Sequence, residues 1–164
     1  MVIRTVFPIF EATRRFLQFV TRRPTFGVRG IVIDDQSQVL LVRHTYVEGW
    51  YLPGGGVSYK EEPYEAMVRE LWEEAGVHVD EADLFGLYAN FGGFKSDHIA
   101  VYHATAWRPA EAIPKSLEIA ERQFFPIDEL PSDATLATRW RLDEWLGRRP
   151  QTSTWTEPQM RYAE

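Results

Sequence analysis

The chain has 164 residues, 45% of them hydrophobic and 26% charged, with a formal net charge of -6. This is the length and balance of one globular domain, without a membrane-spanning apolar run or a large basic footprint for duplex nucleic acid. There is no cysteine, which excludes disulfides, thiolate zinc sites and cysteine nucleophiles and fits a cytoplasmic protein.

Residues 8 to 22 predict an amphipathic helix opened by Pro8. Ile9, Phe10, Thr13, Phe16, Leu17 and Val20 recur on one face, opposite Glu11, Arg14, Arg15, Gln18 and Arg22. Arg4, Glu11, Arg14 and Arg15 would interrupt any secretory h-region. The face of residues 9–20 suits docking on the chain's own domain or on a second copy in a homodimer. Adsorption to an anionic membrane is disfavoured because Glu11 dilutes the basic side.

From Thr25 the period changes to two. Phe26 to Ile33 reads as a strand, Asp34-Asp35-Gln36-Ser37 as a turn, and Val39 to Arg43 as the returning strand. After the loop at Thr45 to Gly49, Trp50-Tyr51-Leu52 leads into Pro53-Gly54-Gly55-Gly56. Such a run cannot be regular structure, and without Cβ atoms it admits a phosphate or metal close to the backbone.

A helix is predicted from Pro63 to Gly76, its C′ glycine. Tyr64, Met67, Val68, Leu71 and Ala75 would pack on the sheet. Glu70, Glu73 and Glu74 are spaced by three, four and one, so on an α-helix they converge. Apposed carboxylates repel at neutral pH unless a cation relieves them, and a hard divalent ion such as Mg²⁺ suits all-oxygen donors. The bland alternative is a solvated acidic face with Arg69–Glu73 as a surface pair. The adjoining glycine bend argues against it.

Leu84 to Phe91 and His98 to Trp107 read as further strands across the Gly92-Gly93 turn. His98 and His103 lie five apart on a strand and face opposite ways, so they do not form a chelating pair. The stretch from Glu118 to Pro131 moves from polar loop to apolar strand, and Ser132 or Asp133 can cap a last helix through about Leu146, with Gly147 after it. The order of the polar tail beyond it is left open.

The segment Gly55-x5-Glu61-x7-Arg69-Glu70-Leu71-x-Glu73-Glu74-x-Gly76-Val77 resembles the signature of the Nudix hydrolases at every specified position. The approach through Val39 to Arg43 and the stretch from Glu118 to Pro131 are also similar to that family, so the resemblance spans about residues 25–147. It divides the chain into an N-terminal helical arm (1–24), a Nudix domain (25–147) and a C-terminal tail (148–164). It implies an α/β fold, an α/β/α sandwich around a mixed sheet. It further implies hydrolysis of a diphosphate linkage, typically in a nucleoside diphosphate joined to another moiety, with Mg²⁺ or Mn²⁺.

Carried over by position, Glu70 and Glu74 would be the main metal ligands, Glu73 a further or water-mediated one, and the Gly55 carbonyl another. Arg69 would orient the glutamates, with Glu61, Gly54, Gly56 and Gly76 as structural support. Many members use an acid outside the box as base or extra ligand; Glu118 matches that place better than Glu121. Arg43, His44 and Lys95 are candidate phosphate contacts. A sensor that binds a nucleotide-like ligand without turnover is the alternative, disfavoured because all box acids are present. Removal of 5′ pyrophosphate from RNA is a second alternative, but no basic channel is evident.

Overall fold

The computed structural model describes residues 25–91, 97–112 and 116–156. The expected arm at 9–20, the Gly92-Gly93 turn and Lys95 lie outside these residues. In order, the elements are β1 (Thr25–Ile31), β2 (Gln38–His44), α1 (Pro63–Glu70), a π-helical turn (Leu71–Ala75), β3 (Val77–Asn90), β4 (Asp97–Pro109), β5 (Ile119–Pro126) and α2 (Leu136–Trp145). The fold class is α/β. No described helix is long and apolar enough to cross a membrane.

The strands form a mixed three-stranded sheet in the order β1-β4-β3 and an antiparallel pair β2-β5. β1 runs parallel to β4, with Val28 opposite Ala100, whereas β3 and β4 are antiparallel. Alternating side chains divide the core between two faces. Val28, Leu40, Ala100 and Tyr102 pack with Met67 and Leu71 of the box helix. Ile31, Val39, Leu41 and Val101 pack with Leu142 of α2. Each helix therefore covers its own face of the strands.

Three local differences from the sequence reading have physical causes. First, β3 starts at Val77, directly after the helix, rather than at Leu84. The acidic run Asp80-Glu81-x-Asp83 lies ahead of the expected strand, yet β4 holds it in register through bulges that absorb the extra residues. Second, α2 is capped by Thr135, whose side chain accepts from the Thr138 N–H. Ser132 and Asp133 belong to the preceding turn, where the Asp133 carbonyl accepts from Trp50 N–H. Third, the box helix changes winding at Leu71, from i→i+4 to i→i+5 bonding. Pro63 at its start and Gly76 at its end, with φ of 71°, agree with the expected limits.

That helix sits very close to the sheet. A Cβ at Gly30 would lie 2.5 Å from Leu71 Cδ1, so the missing side chain sets the helix–strand distance. Gly30→Ala is expected to lower stability by ~1–3 kcal/mol through overpacking. Urea unfolding measures this, and a change under ~0.5 kcal/mol would show that Leu71 moves aside freely.

Candidate active site

The glycine bend runs alongside β1. Pro53 and Gly55 carbonyls accept from Gly30 and Val28 N–H, each at 2.9 Å. Gly54 has φ of 138° and a Cβ there would be 2.2 Å from the Val28 carbonyl oxygen, so only glycine fits. A Cβ on Gly55 would stand 2.6 Å from the Glu70 carboxyl carbon. The bend thus turns bare backbone toward the box acids.

Arg69 organises the outer side of that cluster. Its guanidinium donates to Glu61 Oε1 at 2.7 Å and Oε2 at 2.9 Å, a two-point contact. It also donates to Glu70 Oε1 at 2.7 Å, to Glu73 Oε2 at 3.3 Å and to the Gly56 carbonyl at 3.1 Å. The hydrogen bonds from Arg69, with one from Ser58 N–H, push the Glu61 carboxyl down to about 2. Arg69 in turn is raised above its ordinary value, foremost by Glu61.

Glu74 occupies the inner side. It is 7% exposed, and its Oε2 accepts from Gly54 N–H at 2.8 Å. Burial pushes its pKa up from 4.5 to about 7, against the Gly54 hydrogen bond and Arg29, with Glu70 and Glu118 adding to the rise. The helix splits the acids between two sides. Glu70 and Glu74 point inward with side chains 12% and 9% exposed, while Glu73 turns out at 42%.

Two basic groups face Glu74. His44 Nδ1 stands 4.0 Å from Glu74 Oε1, buried and without a hydrogen-bond partner among the described residues. Its pKa is lowered by burial first and by Arg29 second, so the ring is neutral near pH 7. Arg29 of β1 is the residue the sequence reading missed. Its Nη1 is buried and has no hydrogen-bond partner among the described residues, and burial lowers its pKa against the pull of Glu74 and Glu70. The only sequence signal is a lone cation inside the otherwise apolar Thr25–Ile31 strand.

The remaining candidates are less concentrated. Glu118 is exposed, yet its charge reaches Glu74 and His44. Its N–H bonds to Ser116 Oγ and its carbonyl accepts from Thr45 N–H. Glu121 sits within β5 opposite Arg43. Arg43 is taken up by Asp133, at 2.8 Å, and lies 4.8 Å from the Trp50 ring centre. His103 packs on Trp145 with ring centres 5.0 Å apart. Beside the glycine bend opens a cleft of about 520 Å³, bordered by Arg29, Gly55, Gly56, Asp97, Thr138 and Trp155.

Among the described residues, no three acidic or histidine groups converge tightly enough to form a ready-made metal cage. Arg69 holds Glu70 and Glu73 on one side and Gly54 holds Glu74 on the other. The donor chemistry nevertheless fits a hard divalent ion. All the side-chain groups are carboxylates, Glu74 gains from any added cation, and Gly55 leaves the Glu70 carboxylate bare backbone to rest against.

The sequence model of the NUDIX domain matches residues 22–146. A MutT-like protein of Streptomyces ambofaciens is 36% identical over 64 residues, covering 39% of this chain and 42% of that protein. Diphosphoinositol polyphosphate phosphohydrolase 2 of Mus musculus is 34% identical over 98 residues, covering 58% of this chain and 54% of that protein. The matched region therefore spans only about half the length of these curated relatives. The crystal structure of a MutT NUDIX hydrolase from Burkholderia pseudomallei superposes with a TM-score of 0.66 at 26% identity, covering 74% of this chain and 98% of that one. With its intact box on this fold, the chain belongs to the NUDIX family. Nudix hydrolases generally use divalent metal ions.

Because Glu74 is harder to ionise when folded, the folded metal-free protein binds more protons than the unfolded chain between pH 4.5 and about 7. Its contribution to stability is complete below pH 4.5 and is lost as the pH rises through about 7. Urea unfolding in chelator is expected to show stability falling across that window, and Glu74→Gln should flatten the fall. An equally steep fall in the variant would assign the titration elsewhere.

Proposed function

We propose that the chain is a divalent-metal-dependent hydrolase of the diphosphate linkage in a nucleoside diphosphate joined to another moiety, with water attacking phosphorus. The observation that carries this reading is the buried Glu74 carboxylate, held by Gly54 N–H and electrically coupled to Glu70 and Glu118 beside an open cleft. Glu70, Glu74, Glu73, the Gly55 carbonyl and Glu118 would hold Mg²⁺ or Mn²⁺, which when bound neutralises phosphate charge and acidifies a water.

The chain's own groups supply the rest. The diphosphate needs positioning and charge compensation more than covalent help. Arg29 lines the cleft and carries a buried N–H with no acceptor among the described residues, suited to a phosphate oxygen. Glu118 is exposed and close enough to be felt by Glu74, which suits a base that takes a proton from water and returns it to solvent. Arg69 and Glu61 keep the helix and bend in register, so that Glu70 and Glu74 need not reorganise during reaction. The complete set of acids favours turnover over ligand sensing.

The test is a screen of purified protein with Mg²⁺ or Mn²⁺ against nucleoside triphosphates, nucleotide sugars, ADP-ribose and dinucleoside polyphosphates. Chelation should abolish turnover and either ion should restore it. Glu74→Gln should fold normally yet lose several orders of magnitude in kcat, and near-normal rates would remove Glu74 from the mechanism. Glu118→Gln is expected to cost roughly a hundredfold or more, and more than Glu121→Gln. The reverse ranking would shift the base to Glu121.

A further inference from the structure

The stretch after α2 turns back onto the domain. Ser153 carbonyl accepts from Ala89 N–H at 2.9 Å, and Trp155 N–H donates to the Ala89 carbonyl at 3.0 Å. Residues 151–156 thereby lie along the end of β3 as a short parallel strap. A buried polar knot fastens it. Arg141, with a fully buried side chain, donates to Glu144 Oε1 at 2.8 Å and to the Thr154 carbonyl at 3.2 Å. Thr152 N–H and Oγ1 donate to the same Glu144 oxygen at 3.1 and 3.0 Å, and Tyr88 hydroxyl donates to Glu144 Oε2 at 2.9 Å. The Arg141 guanidinium lies 3.9 Å from the Tyr88 ring centre and 5.4 Å from that of Trp155.

A buried ion pair is weak evidence of added stability, because desolvation offsets the attraction. What this one achieves is placement. Glu144 and Arg141 bond directly to the strap, and Tyr88 meets Trp155 nearly edge-on at 5.9 Å. Trp155 is thus a positioned ring, and it borders the same cleft as Gly55 and Arg29. Leu136 and Ala137 from the start of α2 line it as well. Among the described lining residues the only charges are Arg29 and Asp97, and Asp97 already accepts from Thr25. Among the described residues, a highly phosphorylated polyol would find no cation there beyond Arg29. A flat uncharged ring would find an aromatic wall.

We propose that the strap is a fixed wall of the active-site cleft and that Trp155 selects diphosphates carrying a nucleobase, by stacking on it. The proposal rests on the diphosphate-hydrolase reading and adds the residue that selects the base-bearing substrate. Arg141 and Glu144 are positioning residues that act through the strap.

The test compares a nucleoside triphosphate with 5-phosphoribosyl diphosphate, which bears a diphosphate but no base. Trp155→Ala is expected to raise KM about tenfold for the first and to leave the second unchanged, with kcat shifted less than about threefold. Trp155→Phe should recover most of the loss. An unchanged KM, or equal rises for both compounds, would overturn the proposal. A second readout needs neither turnover nor the alanine variant. Adenosine and guanosine monophosphates should quench tryptophan fluorescence more in the native protein than in Trp155→Phe, and equal quenching would overturn the wall. A protein that cleaves no diphosphate would remove the hydrolase reading, and the quenching would then decide the role of Trp155 alone.

Discussion

An ionised carboxylate is costly to bury, and the box helix ends by burying one. Glu74 has one backbone N–H, from Gly54, a neutral imidazole and a partly offset arginine around it, and this is too little to keep it at its solution acidity. The surrounding architecture follows from that imbalance. The glycine at position 54 is needed to bring its N–H to the carboxylate, the glycine at position 30 lets the helix approach, and the strands hold both in place. A protein built for stability alone would fill this site with an apolar side chain.

The two arginines near the acids divide the work. Arg69 is saturated, with partners on Glu61, Glu70, Glu73 and Gly56, and its charge is spent on architecture. Arg29 is unsaturated, with a buried N–H that has no acceptor among the described residues. An orphaned donor of this kind costs free energy unless something else supplies the acceptor. Anionic phosphate oxygen is the chemistry that would.

Much of this was legible from residue spacing. The convergence of Glu70 and Glu74, the glycine bend, Gly76 as terminator and the strand β2 all follow from periodicity and turn chemistry. Other features depend on contacts distant in sequence. Arg29 reads as an ordinary strand residue until Glu74 is folded against it. The first half of β3 lies ahead of the strand that periodicity predicts, and β4 provides its ladder. Residues 151–156 carry no helical or strand period, and their order comes from Arg141 and Glu144 beneath them. Period alone also could not reveal the change in winding at Leu71.

The wide turn at Leu71–Ala75 makes this helix sensitive to length as well as to identity. Such turns are equivalent to one residue inserted into regular α winding, so deleting a single position there would let the backbone relax to a simpler helix. Residues after the turn would then keep their place, while Glu70 and Glu74 would stand three positions apart instead of four. The two carboxylates would meet the glycine bend at a different angle while most apolar packing survived. Lineages carrying this box should therefore tolerate substitution at Trp72, the exposed member of the turn, far better than any gain or loss of a residue beside it.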